Sequence, residues 1–128
     1  MIYLDSSVVL SQLLAENRPL PEEITEDELV SSRLLEYEIW NRIHARGLTR
    51  SHSGEVRAVL GRVLLIDLST SVLARALKPF PVAVRSLDGL HLATIEYLRS
   101  GGDDIELASF DRRLVAAARA LGVPIFAL

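Results

Sequence analysis

Four carboxylates stand where a charge is least welcome in this chain. Asp5 follows the apolar run Met1-Ile2-Tyr3-Leu4, and Asp111 follows Ile105-Glu106-Leu107-Ala108-Ser109-Phe110. Glu38 lies in Leu34-Leu35-Glu36-Tyr37-Glu38-Ile39-Trp40, and Asp88 sits between Leu87 and Leu90. A carboxylate beside apolar surface needs a partner, or its pKa rises and it neutralises. Four gathered in one place suit a hard divalent cation, which takes oxygen ligands and keeps bound waters. Such an ion lowers the pKa of a water and stabilises charge on phosphoryl oxygens. The chemistry is phosphodiester hydrolysis without a nucleophilic side chain. It fits a chain with no cysteine and no recognisable Ser-His-Asp arrangement.

Each of these acids also has a plain structural reading. Asp5, before Ser6-Ser7, and Asp111, before Arg112-Arg113, can each cap a helix. Asp88 falls in a first helical turn, where the helix dipole favours a negative charge. Glu36 and Glu38 project about 200° apart on a helix, so one site uses only one of them. Periodicity leaves both open. Ser7 can orient a carboxylate or simply start a helix. His91 shares a face with Asp88 at three-residue spacing. It reads as a packing histidine with one hydrogen bond sooner than as a ligand. Asp103 and Asp104 follow two glycines and read as solvated turn residues, and Glu96 and Glu106 as solvent-facing. The case for a site is therefore joint: each acid alone is ordinary, and the chemistry needs several together.

The elements that must position these residues alternate from end to end. Residues 2–4 read as a buried strand ending at Asp5, and Ser6 or Ser7 then caps a helix to about residue 15. A turn and an acidic cluster (Glu22, Glu23, Glu26, Asp27, Glu28) follow, and 17–28 is the expected loop. Residues 29–32 read as a strand and 33–46 as a helix ended by Gly47. Helices are predicted over 53–62, 70–78, 86–99 and 111–122, and strands over 63–68, 105–109 and 124–127. The helices 53–62 and 70–78 are expected to form a hairpin arm. Buried strands alternating with helices predict an α/β fold, a parallel sheet flanked by helices on both faces. Ligands of open α/β sheets bind at the carboxyl ends of the strands. Asp5 and Asp111 fall at such ends, and the helix carrying Glu38 starts from one.

Size and composition set the outer bounds. A chain of 128 residues with 49% hydrophobic and 24% charged residues is expected to form a single soluble domain, residues 1–128. The lack of cysteine excludes disulfides and thiolate metal sites, and a cytoplasmic location is expected. No apolar run approaches the roughly 20 residues that cross a bilayer, and the N-terminus does not read as a signal peptide. The net charge of −3 argues at first against a nucleic-acid partner. The positive charge, however, is almost all arginine, with Lys78 the single lysine. Arginine's planar fork suits phosphate oxygens.

At these residues the chain resembles the PIN domain, and specifically the VapC-type toxins of bacterial type II toxin–antitoxin pairs. The matching segments are Ile2-Tyr3-Leu4-Asp5-Ser6-Ser7, Ser32-Arg33-Leu34-Leu35-Glu36-Tyr37-Glu38, Leu87-Asp88-Gly89-Leu90-His91-Leu92-Ala93-Thr94 and Ser109-Phe110-Asp111-Arg112-Arg113-Leu114. The helix around Ala116-Ala117-Ala118 and the ending Leu121-Gly122-Val123-Pro124 also look like the family's. The Asp-Gly-Leu-His-Leu-Ala block is the most distinctive. By position, Asp5, Glu38, Asp88 and Asp111 match the family's acidic quartet. The family's glutamate lies six residues after the serine ending the second strand, which from Ser32 is Glu38. Ser7 matches the small polar position after the first aspartate, Ser109 stands where threonine is frequent, and Gly89 replaces a more usual alanine.

The resemblance implies a PIN-like three-layer sandwich and a Mg²⁺- or Mn²⁺-dependent bacterial endoribonuclease. Asp5, Asp88 and Asp111 would be inner ligands, and Glu38 would hold a second ion or position water. An activated water attacks phosphorus and the 3′ oxygen leaves. Arg85, Arg112 and Arg113 are the first candidates for RNA contact. A structured RNA such as tRNA, a homodimer and a cognate antitoxin wrapping the site are further implications. Trp40 is a candidate for the dimer face or an antitoxin groove. The alternative is a catalytically silent scaffold on the same fold. An aspartyl phosphatase would want an aspartate where Ser7 stands, and a receiver domain would want a lysine at a late strand end, so both are poor readings.

Overall fold

The computed structural model describes residues 1–14 and 21–128. Four short strands, β1 (Ile2–Leu4), β2 (Leu29–Ser32), β3 (Val63–Ile66) and β4 (Glu106–Ala108), form one sheet in the order β3-β2-β1-β4. All pairings are parallel, with Tyr3 in register with Val30 on one side and Leu107 on the other. The helices are α1 (Ser6–Leu13), α2 (Glu23–Glu26), α3 (Leu34–Ala45), α4 (Thr49–Leu60), α5 (Thr70–Ala76), α6 (Ser86–Ser100) and α7 (Arg112–Ala120).

Strand side chains alternate between the two faces of a sheet, and here each face buries its own core. Ile2, Leu4 and Leu29 pack with Val8 and Val9 of α1, Leu35, Ile39 and Ile43 of α3, and Val56 of α4. Tyr3, Val30 and Leu107 turn the other way, onto Leu92 and Ile95 of α6 and Leu114 and Ala118 of α7. Helix α5 lies along α6. The result is the expected three-layer α/β sandwich.

The strand order creates the site's location. From β1 the chain winds outward through β2 to β3, then crosses back to place β4 on β1's other side. The connections after β1 and β4 therefore diverge, leaving a crevice at the carboxyl edge. Asp5 follows β1 directly, and its N–H bonds to the Ala108 carbonyl at the end of β4.

Four expectations require correction. The hairpin arm does not form: β3, inserted between the two helices, pairs with β2, so α4 packs on α3 and α1 while α5 packs on α6. Helix α4 begins at Thr49, not at Ser53. Gly47 at φ 68° closes α3 tightly, Leu48 N–H bonds back to the Ile43 carbonyl, and His44 Nδ1 meets Thr49 Oγ1 at 2.6 Å. The final strand over 124–127 shrinks to one bridge between Leu107 and Ile125, because Pro124 has no N–H to continue the ladder. The expected loop over 17–28 contains α2, anchored by buried Ile24; its first part lies outside the described residues, as does the expected end of the first helix at residue 15.

Trp40 is partly buried against the first core. Its ring stacks on His44 at 5.6 Å between centroids, and the Arg57 guanidinium lies 5.9 Å away. Among the described residues, no helix is long and apolar enough to cross a membrane.

Candidate active site

Asp5 is only 6% exposed. Its Oδ2 accepts from Ser7 Oγ at 2.6 Å, from Ser109 Oγ at 2.8 Å and, at a longer 3.4 Å, from the Ser7 N–H. Asp5, and not a serine, is thus the N-cap residue of α1, but the hydroxyls hold it more closely than the cap bond does. The same hydroxyls also accept. Ser7 Oγ takes the Phe110 N–H at 2.9 Å, and Ser109 Oγ takes the Asp111 N–H at 2.9 Å. Two serines therefore stitch the end of β1 to the loop after β4.

Asp111 caps α7. Its Oδ1 accepts from the N–H groups of Arg113 at 2.9 Å and Leu114 at 3.3 Å. In Asp5 and Asp111 alike, the bonds to the described residues all fall on one carboxylate oxygen.

Asp88 is different. It sits in the first turn of α6, half-buried, and no described residue gives it a hydrogen bond or an ion pair. Burial raises its pKa above the usual carboxylate value, and the neighbouring charges of Asp111 and Asp5 push it further the same way. His91 and Arg85 act against that rise. Three aspartates from three separate elements thus share one electrostatic neighbourhood.

Glu36 and Glu38 part company in space. Glu36 joins a surface cluster in which Arg33 reaches it at 3.3 Å and Asp67 at 2.6 Å. Glu38 turns inward. Its Oε1 meets His91 Nε2 at 2.5 Å, and its Oε2 accepts from Ser6 Oγ at 3.3 Å. His91 makes a second bond, from Nδ1 to the Tyr3 hydroxyl at 2.7 Å, so the expectation of a singly bonded packing histidine is corrected. Tyr3 and Ser6 were not singled out by the sequence. The available signal was Tyr3 itself: a tyrosine in a three-residue buried strand must find a partner for its hydroxyl.

The arginines divide between two clefts. Arg85 and Arg113 line a cleft of about 500 Å³ together with Asp88. Arg112 lines an adjoining cleft of about 570 Å³ with Ser109, Phe110 and Arg119, and Ala116 borders both. All three candidate arginines are exposed.

A family model described as the PIN domain matches residues 2–120. The chain belongs to the PIN domain family. Ribonuclease VapC46 of Mycobacterium tuberculosis is 32% identical to this PIN domain, covering 98% of the chain and 96% of the relative. Ribonuclease VapC35 of the same species is 31% identical, covering 99% and 96%. The match covers 96% of the length of each relative.

The donor set of the PIN domain suits a hard cation. The carboxylates offer oxygen only, and Asp88, which has no ion pair among the described residues, is disfavoured as an anion by burial and by two other carboxylates, with His91 and Arg85 acting against them. Among the described residues, no three Asp, Glu or His side chains are already gathered closely enough to clasp an ion. They lie within electrostatic reach of one another but not within one ligand shell.

Proposed function

We propose that this PIN domain is a Mg²⁺- or Mn²⁺-dependent endoribonuclease, the toxin of a toxin–antitoxin pair. The observation that carries the reading is Asp88: a half-buried carboxylate with no hydrogen bond or ion pair among the described residues, its charge disfavoured by burial and then by Asp111 and Asp5. Such an arrangement is costly unless positive charge offsets it. Asp5, Asp88 and Asp111 are the residues to hold the ion, and they must draw inward to do so. Bound there, it supplies the positive charge that acidifies water and neutralises the phosphoryl oxygens.

The chain's own residues do the rest. Ser7 and Ser109 fix Asp5 so that one oxygen is presented in a set direction. Glu38, with both oxygens engaged by His91 and Ser6, orients the attacking water opposite the departing 3′ oxygen. Arg85 and Arg113, in the cleft beside Asp88, take the phosphates of the bound strand, and Arg112 takes those of the adjoining cleft. The likeness to two ribonucleases supports an RNA substrate; a cognate antitoxin and a homodimer are part of the proposal, and a structured RNA such as tRNA is the substrate to try first.

The test is incubation of the purified protein with total RNA and Mg²⁺ or Mn²⁺, with EDTA and Asp5→Asn in parallel. Cleavage that needs the ion and Asp5 supports the reading. Equal cleavage by wild type and Asp5→Asn identifies a contaminating nuclease. A folded protein that neither binds Mn²⁺ nor cuts is a scaffold.

A further inference from the structure

A buried line of hydrogen bonds runs from the sheet to Glu38. The Ser32 backbone N–H donates to the Tyr3 hydroxyl at 3.2 Å, and that hydroxyl lies 2.7 Å from His91 Nδ1. Across the ring, His91 Nε2 lies 2.5 Å from Glu38 Oε1. Tyr3 and His91 meet edge to face, with ring centroids 5.7 Å apart and planes at 85°. Both are buried, Tyr3 at 0% and His91 at 1% exposure.

For a neutral imidazole this line has a single consistent arrangement of hydrogens. An ionised carboxylate only accepts, so Nε2 carries the ring proton and donates to Glu38. Nδ1 is then an acceptor, and the Tyr3 hydroxyl donates to it. Burial drives the Tyr3 phenol well above its ordinary pKa, so it keeps the proton it offers. The Ser32 N–H occupies the phenol oxygen's accepting side.

We infer that His91 is a positioning residue for Glu38, its ring held in place by Tyr3. The inference rests on the reading that Glu38 serves hydrolysis. A glutamate side chain has several torsions and, left to itself, spreads over several rotamers. Here its two oxygens are held by donors from two other helices, His91 of α6 and Ser6 of α1. The α6 donor is itself braced against β1 through Tyr3. The carboxylate is therefore set by three elements of the sandwich before any substrate arrives. Partners of this outer kind are typically worth about 10–100-fold in metal affinity or activity.

The test uses Tyr3→Phe, His91→Leu and His91→Gln in the full chain. In the metal-free wild type, ¹⁵N spectra of His91 should show a ring protonated on Nε2, and Tyr3→Phe, which removes the partner of Nδ1, should keep that proton while freeing the ring to reorient. His91→Leu and Tyr3→Phe should lower kcat by about 10–100-fold with KM little changed. His91→Gln, whose amide nitrogen reaches the place of Nε2, should recover part of that loss. In a Glu38→Gln background, the His91 and Tyr3 substitutions should cost little more, because residues acting as a unit are not additive. Melting curves establish that each variant folds, and Tyr3→Phe carries the comparison where His91→Leu does not. A wild-type ring protonated on Nδ1, or a full additional loss in the Glu38→Gln background, overturns the positioning role alone. Full activity of Glu38→Gln removes the catalytic reading of Glu38 and this inference with it.

Discussion

Ser109 Oγ donates to Asp5 Oδ2 at 2.8 Å across 104 positions of sequence, and it accepts the Asp111 N–H at 2.9 Å. One hydroxyl thereby fixes the side chain of one proposed ligand and the backbone of another. Ser109→Ala removes both bonds and leaves the buried Asp5 oxygen with fewer donors. Ribonuclease activity is expected to fall by about 10–100-fold, while Ser109→Thr retains the hydroxyl and most of the activity. Initial-rate assays on a defined RNA check this. An alanine variant as active as wild type would show that the hydroxyl bridge is dispensable.

Asp88 gives a prediction in which stability and activity move in opposite directions. Burial, with the charges of Asp111 and Asp5 beside it, raises its folded-state pKa above the ordinary aspartate value, so it takes up a proton at a pH where the unfolded chain has already lost one. Its contribution to stability is therefore fully present below the unfolded pKa and lost as pH rises through the folded pKa. In metal-free protein at neutral pH, Asp88→Asn relieves that loss and raises the melting temperature. The wild-type deficit relative to Asp88→Asn should shrink on mild acidification. Activity of Asp88→Asn should nevertheless drop by at least about 100-fold. Parallel melts at several pH values decide it. A variant that melts lower than wild type in EDTA at neutral pH would contradict the repulsion described above.

Glu36 and Glu38 provide an internal control only two residues long. Glu36 belongs to an exposed cluster with Arg33, and surface ion pairs are worth about 0–1 kcal/mol. Glu36→Gln should leave the ribonuclease rate within about twofold of wild type. Glu38→Gln should lower it by about 10–100-fold or more. Reversed effects would assign the site to the other face of α3.

Arg85 and Arg113 line the cleft beside Asp88. If each neutralises one phosphate of a single strand, replacing either with alanine should lower the slope of log K against log salt by about 0.7. Binding is best measured with Asp5→Asn protein, which does not consume the RNA. An unchanged slope in both variants would place the strand elsewhere.

Metal loading should stabilise the fold by mass action. At free Mn²⁺ about 100 times its Kd, the gain is roughly 2.7 kcal/mol. The melting temperature should rise in wild type and much less in Asp5→Asn. A rise of equal size in both would indicate binding outside the aspartate site.

The sequence alone carried the architecture and nominated the acids. Apolar strands of period two, helices of longer period and carboxylates at the switches between them are local properties, and they specify a parallel sandwich with an acidic edge. The resemblance in Leu87-Asp88-Gly89-Leu90-His91 came from the same local text. Tertiary structure decided how those residues are connected. Whether Glu36 or Glu38 turns inward depends on which side of α3 comes within reach of His91 on α6. Helix periodicity cannot contain that fact. The tie from Ser109 to Asp5 exists because β4 pairs with β1, although the two strands are about a hundred residues apart in sequence. The hairpin arm failed for the same reason: β3's pairing with β2 sent α4 and α5 to different partners. Periodicity and capping are set by near neighbours, whereas the orientation of a carboxylate is set by whatever the fold brings against it.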